Sequence, residues 1–121
     1  MKLGIVGSRR RNTEEDKKLI KAAILISAPD MLISGGCPKG ADRFAEELAR
    51  ELNIPIRIYH PEVTGLRSKW DFTKAYYERN KKIAEKSDYL VALVVPDRKG
   101  GTEYTIKEFL KLKNEKRLKI L

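Results

Sequence analysis

The chain has 121 residues, 41% apolar and 36% charged, which supports one domain with a real core and excludes a fully disordered chain. Lysine and arginine outnumber aspartate and glutamate by 26 to 17, a formal charge of +9 that favours an anionic partner: nucleic acid, a nucleotide or a phosphate. One cysteine (Cys37), one histidine (His60) and no apolar run near ~20 residues exclude a disulfide framework, a Cys- or His-rich metal site and a membrane span.

Met1 leads directly into Lys2-Leu-Gly-Ile-Val-Gly7, a buried strand ending on glycine. No signal-peptide layout precedes it, so the expectation is a cytoplasmic protein. Thr13 offers an N-cap, followed by Glu14, Glu15 and Asp16 where the helix dipole favours acids. Leu19, Ile20, Ala23, Ile24 and Ile26 are read as that helix's apolar face, and Pro29-Asp30 ends it. Met31–Ser34 is a second strand, closed by Gly35 and Gly36. A helix from Ala41 to Leu52 follows, with Ala41, Phe44, Ala45, Leu48, Ala49 and Leu52 on one face. Pro55–Tyr59 reads as a third strand, at an edge because of Arg57. His60 to Lys69 is a polar loop, and Asp71 to Lys86 a helix. Tyr89–Val95 is the strongest strand and is expected at the centre of a sheet. Pro96–Gly101 is a loop, Thr102 a candidate cap for a helix reaching Leu112, with Ile106, Phe109 and Leu110 inward. Arg117–Leu121 is a short last strand. Glutamine is absent while lysine and glutamate abound, a composition common in thermophiles.

Strand–helix alternation of this kind predicts an α/β fold: a single three-layer Rossmann-like domain over residues 1–121. Its five-stranded parallel sheet is expected in the order 3-2-1-4-5. Such sheets bind ligands beyond the carboxyl ends of the strands where the order reverses, here between strands one and four.

Three loops leave strand ends at that edge: Gly7–Arg11, Ser34–Asp42 and Pro96–Thr102. They hold six of the eight glycines, Gly7, Gly35, Gly36, Gly40, Gly100 and Gly101. Glycine permits close backbone approach, and each loop runs into a helix whose free N–H groups favour an anion. Arg9, Arg10, Arg11, Lys39, Arg98 and Lys99 add positive charge to the same rim. The competing reading is that glycines end strands generally and basic residues are common here; concentration in three converging loops favours a phosphate site.

Standard motifs fail. Gly35 and Gly40 have the spacing of a P-loop, but Ala41-Asp42 stands where Lys-Ser/Thr is needed. Gly4-x-x-Gly7 is not the dinucleotide fingerprint, and the second strand ends in Ser34 rather than a ribose-binding acid.

Arg79 shares a helical stripe with Phe72, Tyr76 and Ile83 at spacings i, i+4, i+7 and i+11. A charge on an apolar stripe calls for an acidic partner or a bound anion, or snorkels to solvent. Asn80 beside it adds polar contacts. Asp42, at a helix start, reads first as a complement to the helix dipole. Cys37 reads as a small residue in a tight turn and His60 as lying away from the switch point. Trp70, Tyr76 and Tyr77 read as packing or a dimer contact before base stacking. The stretch Lys107–Lys119 carries six basic and two acidic residues and reads as a solvated helix face.

These pieces resemble the nucleotide-binding Rossmann-like superfamily called SLOG, which unites the cytokinin-activating phosphoribohydrolases ("lysine decarboxylase-like" proteins) with the DNA-processing protein A family. The resemblance rests on Gly7-Ser8-Arg9, Ser34-Gly35-Gly36 with Lys39-Gly40-Ala41-Asp42, Arg79-Asn80, and Gly100-Gly101-Thr102. It is nearest to a small branch with S-G-G-x-x-x-G-A-D and G-T-x-x-T-I patterns, and it covers nearly the whole chain. It implies a nucleotide or nucleotide-derived ligand, glycine loops around phosphate, Arg79 near the ligand, and pairing into a homodimer. It does not carry catalysis over. The glutamate of the phosphoribohydrolase pattern G-G-x-G-T-x-x-E falls on Thr105, and Glu103 lies roughly 200° around the helix from it.

The leading expectation is therefore binding or sensing of a nucleotide or nucleotide-derived phosphate ligand by Gly7, Ser8, Arg9, Ser34, Gly35, Gly36, Lys39, Gly40, Asp42, Arg79, Asn80, Gly100, Gly101 and Thr102. One alternative is a hydrolase or transferase acting on an N-glycosidic or phosphoester bond, with Glu103 or Asp97 as acid or base. Another is a single-stranded DNA-binding module. No metal site and no certain cofactor is expected.

Overall fold

The computed structural model describes residues 1–121. Five strands, β1 (Lys2–Gly7), β2 (Met31–Ser34), β3 (Ile56–Ile58), β4 (Tyr89–Leu93) and β5 (Leu118–Ile120), alternate with four helices. The helices are α1 (Glu14–Ser27), α2 (Ala41–Leu52), α3 (Lys69–Lys86) and α4 (Gly101–Leu112). All pairings are parallel and the order is β3-β2-β1-β4-β5. This is the expected α/β Rossmann-like sheet. The middle place belongs to β1, however; β4 is interior, between β1 and β5. No helix is long and apolar enough to cross a membrane.

Period-two alternation divides the strand residues between two cores. Leu3, Ile5, Leu32, Val91 and Leu93 face α1 and α2, meeting Ile20, Ile24, Phe44, Ala45, Leu48 and Ala49. Val6, Ile33, Leu90 and Ala92 face α3 and α4, meeting Ile83, Ala84, Ile106 and Phe109.

Helix starts fall into two kinds. Thr13 caps α1 with a capping box, exchanging hydrogen bonds with Asp16, and Ser68 caps α3 by accepting from Asp71 N–H. α2 and α4 instead open on Gly40 and Gly100, with no side-chain cap. The expected cap Thr102 is the second residue of α4. Gly100, at φ 108° and ψ −170°, makes the turn into the helix two residues earlier than Thr102 would.

Three face assignments change. Ile26 and Leu19 are exposed rather than inward: Ile26 lies roughly 240° around α1 from Ile20, and Leu19 roughly 100°. Their place in the buried stripe goes to Asp16, paired with Arg11. Leu110 is also exposed, because its neighbour Phe109 takes the inward direction. A single 3₁₀ turn, Glu115–Arg117, leads into β5, and α3 begins two residues before Asp71.

Candidate functional site

The chain leaves β1 toward β2 and β3 on one side, then returns to β4 and β5 on the other. The loops after β1 and β4 part at this switch point and leave a crevice at the carboxyl edge. The crevice holds a cavity of about 400 Å³. Among the expected residues, Gly7, Ser8, Arg9, Gly35, Asp42, Arg79, Asn80, Gly100, Gly101 and Thr102 line it. A second cavity of about 520 Å³ adjoins it, lined by Gly36, Lys39 and His60, and sharing Arg9, Arg10, Gly35, Cys37, Tyr76 and Arg79 with the first. Ser34 and Gly40 line neither. Ser34 is fully buried, and its hydroxyl bonds Ile5 O and Asp42. Gly40 is buried, donates its N–H to Asn12 Oδ1 at 2.7 Å, and has no room for a Cβ beside Ser8 O.

Close backbone approach builds the crevice floor. A Cβ on Gly7 would stand 2.7 Å from Ala41 Cβ, so α2 begins hard against the end of β1. A Cβ on Gly35 would stand 2.7 Å from Arg79 Nη1 and 2.9 Å from Asp42 Oδ2. Gly35 thus admits two opposite charges to one spot.

Arg79 has no carboxylate in ion-pair range, and it is not free in solvent either. Its Nη1 donates to Gly35 O and Tyr59 O, and its Nε donates to Asn80 Oδ1 at 2.9 Å. The guanidinium sits 5.6 Å from the centre of the Tyr76 ring. It braces α3 against the ends of β2 and β3 while keeping its charge in the wall of both cavities.

Asp42 is turned into its own loop. Oδ1 accepts from Ser34 Oγ at 2.9 Å and Oδ2 from Cys37 N–H at 3.0 Å. Burial pushes its carboxyl above the ordinary range, against the Cys37 and Ser34 hydrogen bonds and the Arg79 charge, which pull it down. It is the one carboxylate in either wall.

The rim cations divide. Arg11 is internal: it pairs with Asp16 and donates to Val94 O and Leu121 O. Arg10 grips Asp97 at 2.7 and 2.8 Å, bridging the loops after β1 and β4. Arg98 pairs with Glu103 at 2.7 Å. Arg9, Lys39 and Lys99 make no ion pair and are exposed. The acid–base candidates Asp97 and Glu103 are the partners in those two pairs and line neither cavity. The Arg10 hydrogen bonds hold Asp97 below the usual carboxylate range.

Further wall residues lie outside the set expected to bind the ligand. Thr105 is buried in the first cavity, donating to Gly101 O at 3.1 Å. Tyr76 and Cys37 line both cavities. His60 stands away from the cavity at the switch point, as expected, but lines the adjoining one, because β3 runs parallel to β2 and delivers it to the same edge, over Gly36. The parallel order was the available signal. Trp70 lies outside, 73% exposed, and Tyr77 stacks on Tyr104 at 4.4 Å. The chain matches no protein-family model and no curated protein sequence.

Proposed function

We propose that the chain binds a nucleotide or nucleotide-derived phosphate ligand in the crevice between β1 and β4. One observation carries this reading: the uncapped N-terminus of α4 opens into a cavity walled by Arg9, Arg79 and Lys99. The Gly101 and Thr102 N–H groups have no acceptor in the protein and are free to meet an anion, Glu103 N–H being taken by Gly100 O at 3.2 Å, and the dipole favours negative charge there. Gly101 brings that backbone within reach, since its missing Cβ leaves the helix start open beside Asn80. The cavity volume suits a small molecule. The resemblance of Gly7-Ser8-Arg9, Ser34–Asp42, Arg79-Asn80 and Gly100–Thr102 to SLOG proteins supports the same ligand class, and we propose membership of that family on those residues.

A binding role is preferred to catalysis because Asp97 and Glu103 are held in ion pairs outside the cavity, and Asp42 is committed to Ser34 and Cys37. Isothermal titration against a nucleotide panel tests the reading. At least one nucleotide should bind, and Arg79→Ala should weaken it by about tenfold or more, the value of a charged hydrogen bond. Absence of binding by every nucleotide overturns the proposal. A short single-stranded oligonucleotide that binds tightly while mononucleotides do not would move the assignment to polymer binding.

A further inference from the structure

The two adjoining cavities are furnished differently from an ordinary phosphate pocket beside a solvent groove. Each has a free cation of its own, Lys99 in the first and Lys39 in the second, and Arg9 and Arg79 stand in the shared wall. Each also has its own glycine opening: Gly101 at the start of α4, and Gly36 after β2. Gly36 has φ 76°, and a Cβ there would strike the His60 ring at 2.7 Å, so the imidazole lies directly over bare backbone. The second cavity has no acidic residue in its wall.

Charge balance then limits the ligand. Arg9, Arg10, Lys39, Arg79 and Lys99 line the pair of cavities; Asp42 is in the wall and Asp97 neutralises Arg10 from outside. Three positive charges are left over. One phosphomonoester brings only about −1.5 to −2 at neutral pH, and a group at the start of α4 leaves Lys39 facing an empty cationic cavity.

We propose that the ligand is a nucleoside bisphosphate, with one phosphate at the N-terminus of α4 beside Lys99 and the other in the second cavity beside Lys39 and Arg9. This rests on the nucleotide reading above and specifies its ligand. Tyr76 and Arg79 stand between the two subsites, common to both walls, where the nucleoside would span them. Lys39 is a ligand-positioning cation for the second phosphate only, and Lys99 for the first only.

Titration calorimetry at one fixed salt concentration compares AMP, ADP and adenosine 3′,5′-bisphosphate on the wild-type chain and on Lys39→Ala and Lys99→Ala. The bisphosphate should bind about tenfold or more tightly than AMP, the value of one added charged contact. Lys39→Ala should erase that advantage and weaken AMP far less than the bisphosphate, while Lys99→Ala should weaken both. ADP, whose second phosphate is contiguous with the first, should gain less and should respond to Lys39→Ala no more than AMP does. Equal affinity for AMP and the bisphosphate, with AMP still bound, overturns the second subsite and leaves the nucleotide reading standing. An equal gain for ADP and the bisphosphate that survives Lys39→Ala overturns it too, by assigning the gain to total charge. Failure of all three to bind overturns the bisphosphate proposal; the nucleotide reading falls only if every nucleotide of the panel fails as well.

Discussion

Gly100 and Gly101 are neighbours at the mouth of the crevice, and they should respond to alanine in opposite ways. Gly101 is the first residue of α4, has ordinary helical-side φ, and its missing Cβ would meet only Asn80 Nδ2, at 3.2 Å. The Asn80 amide is a side-chain end that can yield a few tenths of an ångström. Alanine in a helix is worth about 0.5–1 kcal/mol over glycine through reduced backbone entropy in the unfolded chain. Gly101→Ala should therefore leave stability unchanged or raise it by up to about 1 kcal/mol. Its methyl group would hold a phosphate off the first-turn N–H groups and forfeit a charged hydrogen bond of about 1.5–3 kcal/mol, a roughly ten- to hundredfold loss of affinity. Gly100 has nothing within 4 Å but sits at φ 108°, a region close to glycine-only, so Gly100→Ala should cost about 1–3 kcal/mol of stability. Urea denaturation measures the stabilities and calorimetry with the tightest-binding nucleotide measures the affinities. A folded Gly101→Ala that binds as the wild type refutes the idea that bare backbone at α4 meets the phosphate. A fall in its stability beyond about 1 kcal/mol refutes the idea that the glycine serves binding rather than packing.

Two further predictions concern the scaffold. Arg11→Ala removes the partner of buried Asp16 and the donor to Val94 O and Leu121 O, and should cost about 2–4 kcal/mol in urea denaturation; a loss under about 1 kcal/mol would mean that the brace is dispensable. Asp42→Asn bears on pH dependence. Because the Asp42 carboxyl is raised when folded, its contribution to stability is fully present below its ordinary value of 3.8 and is lost as pH rises through the folded value. Asparagine keeps an acceptor for Cys37 N–H and has no titration, so the stability gap between wild type and variant should shrink from pH 4 to pH 7. A gap that widens over that interval would show the carboxyl to be lowered instead.

The alternation of β1 and β4 was readable because their residues are apolar on both faces, and only a parallel sheet covered by helices buries both. The glycine-ended strands marked the crevice edge because that edge is where backbones approach, and side-chain absence leaves a mark in sequence. Partners of charged groups were less legible. Arg79 stood out on its stripe, yet what receives it is the carbonyls of Gly35 and Tyr59, and a carbonyl has no residue type to read. Arg11 looked like one more rim cation, but its acceptors at Val94 and Leu121 become its neighbours only after β4 and β5 are paired. Ile26 misled because a short helix can carry apolar residues on its outer side at little cost.

The positive charge that dominates the composition is thus put to two different uses at one edge of the sheet. Arg79 ties α3 to the ends of β2 and β3, and Arg11 ties the loop after β1 to the ends of β4 and β5. Both flanks of the crevice are thereby fixed by guanidinium groups, Arg11 through all three of its nitrogens and Arg79 through Nε and Nη1, which leaves Arg79 Nη2 without a protein acceptor. Arg10 and Asp97 close the gap between the β1 and β4 loops from above with an exposed pair worth little to stability, about 0–1 kcal/mol. A pair that weak can open without unfolding anything. The cations with no protein partner, Arg9, Lys39 and Lys99, stand among these braces. A ligand entering the crevice would therefore meet a wall already in place and lose little free energy to ordering it. An anion that attracts Arg10 away from Asp97 would free the β4 loop at the same time. On the nucleotide reading, binding at this edge would be coupled to the Arg10–Asp97 bridge rather than to a movement of the sheet.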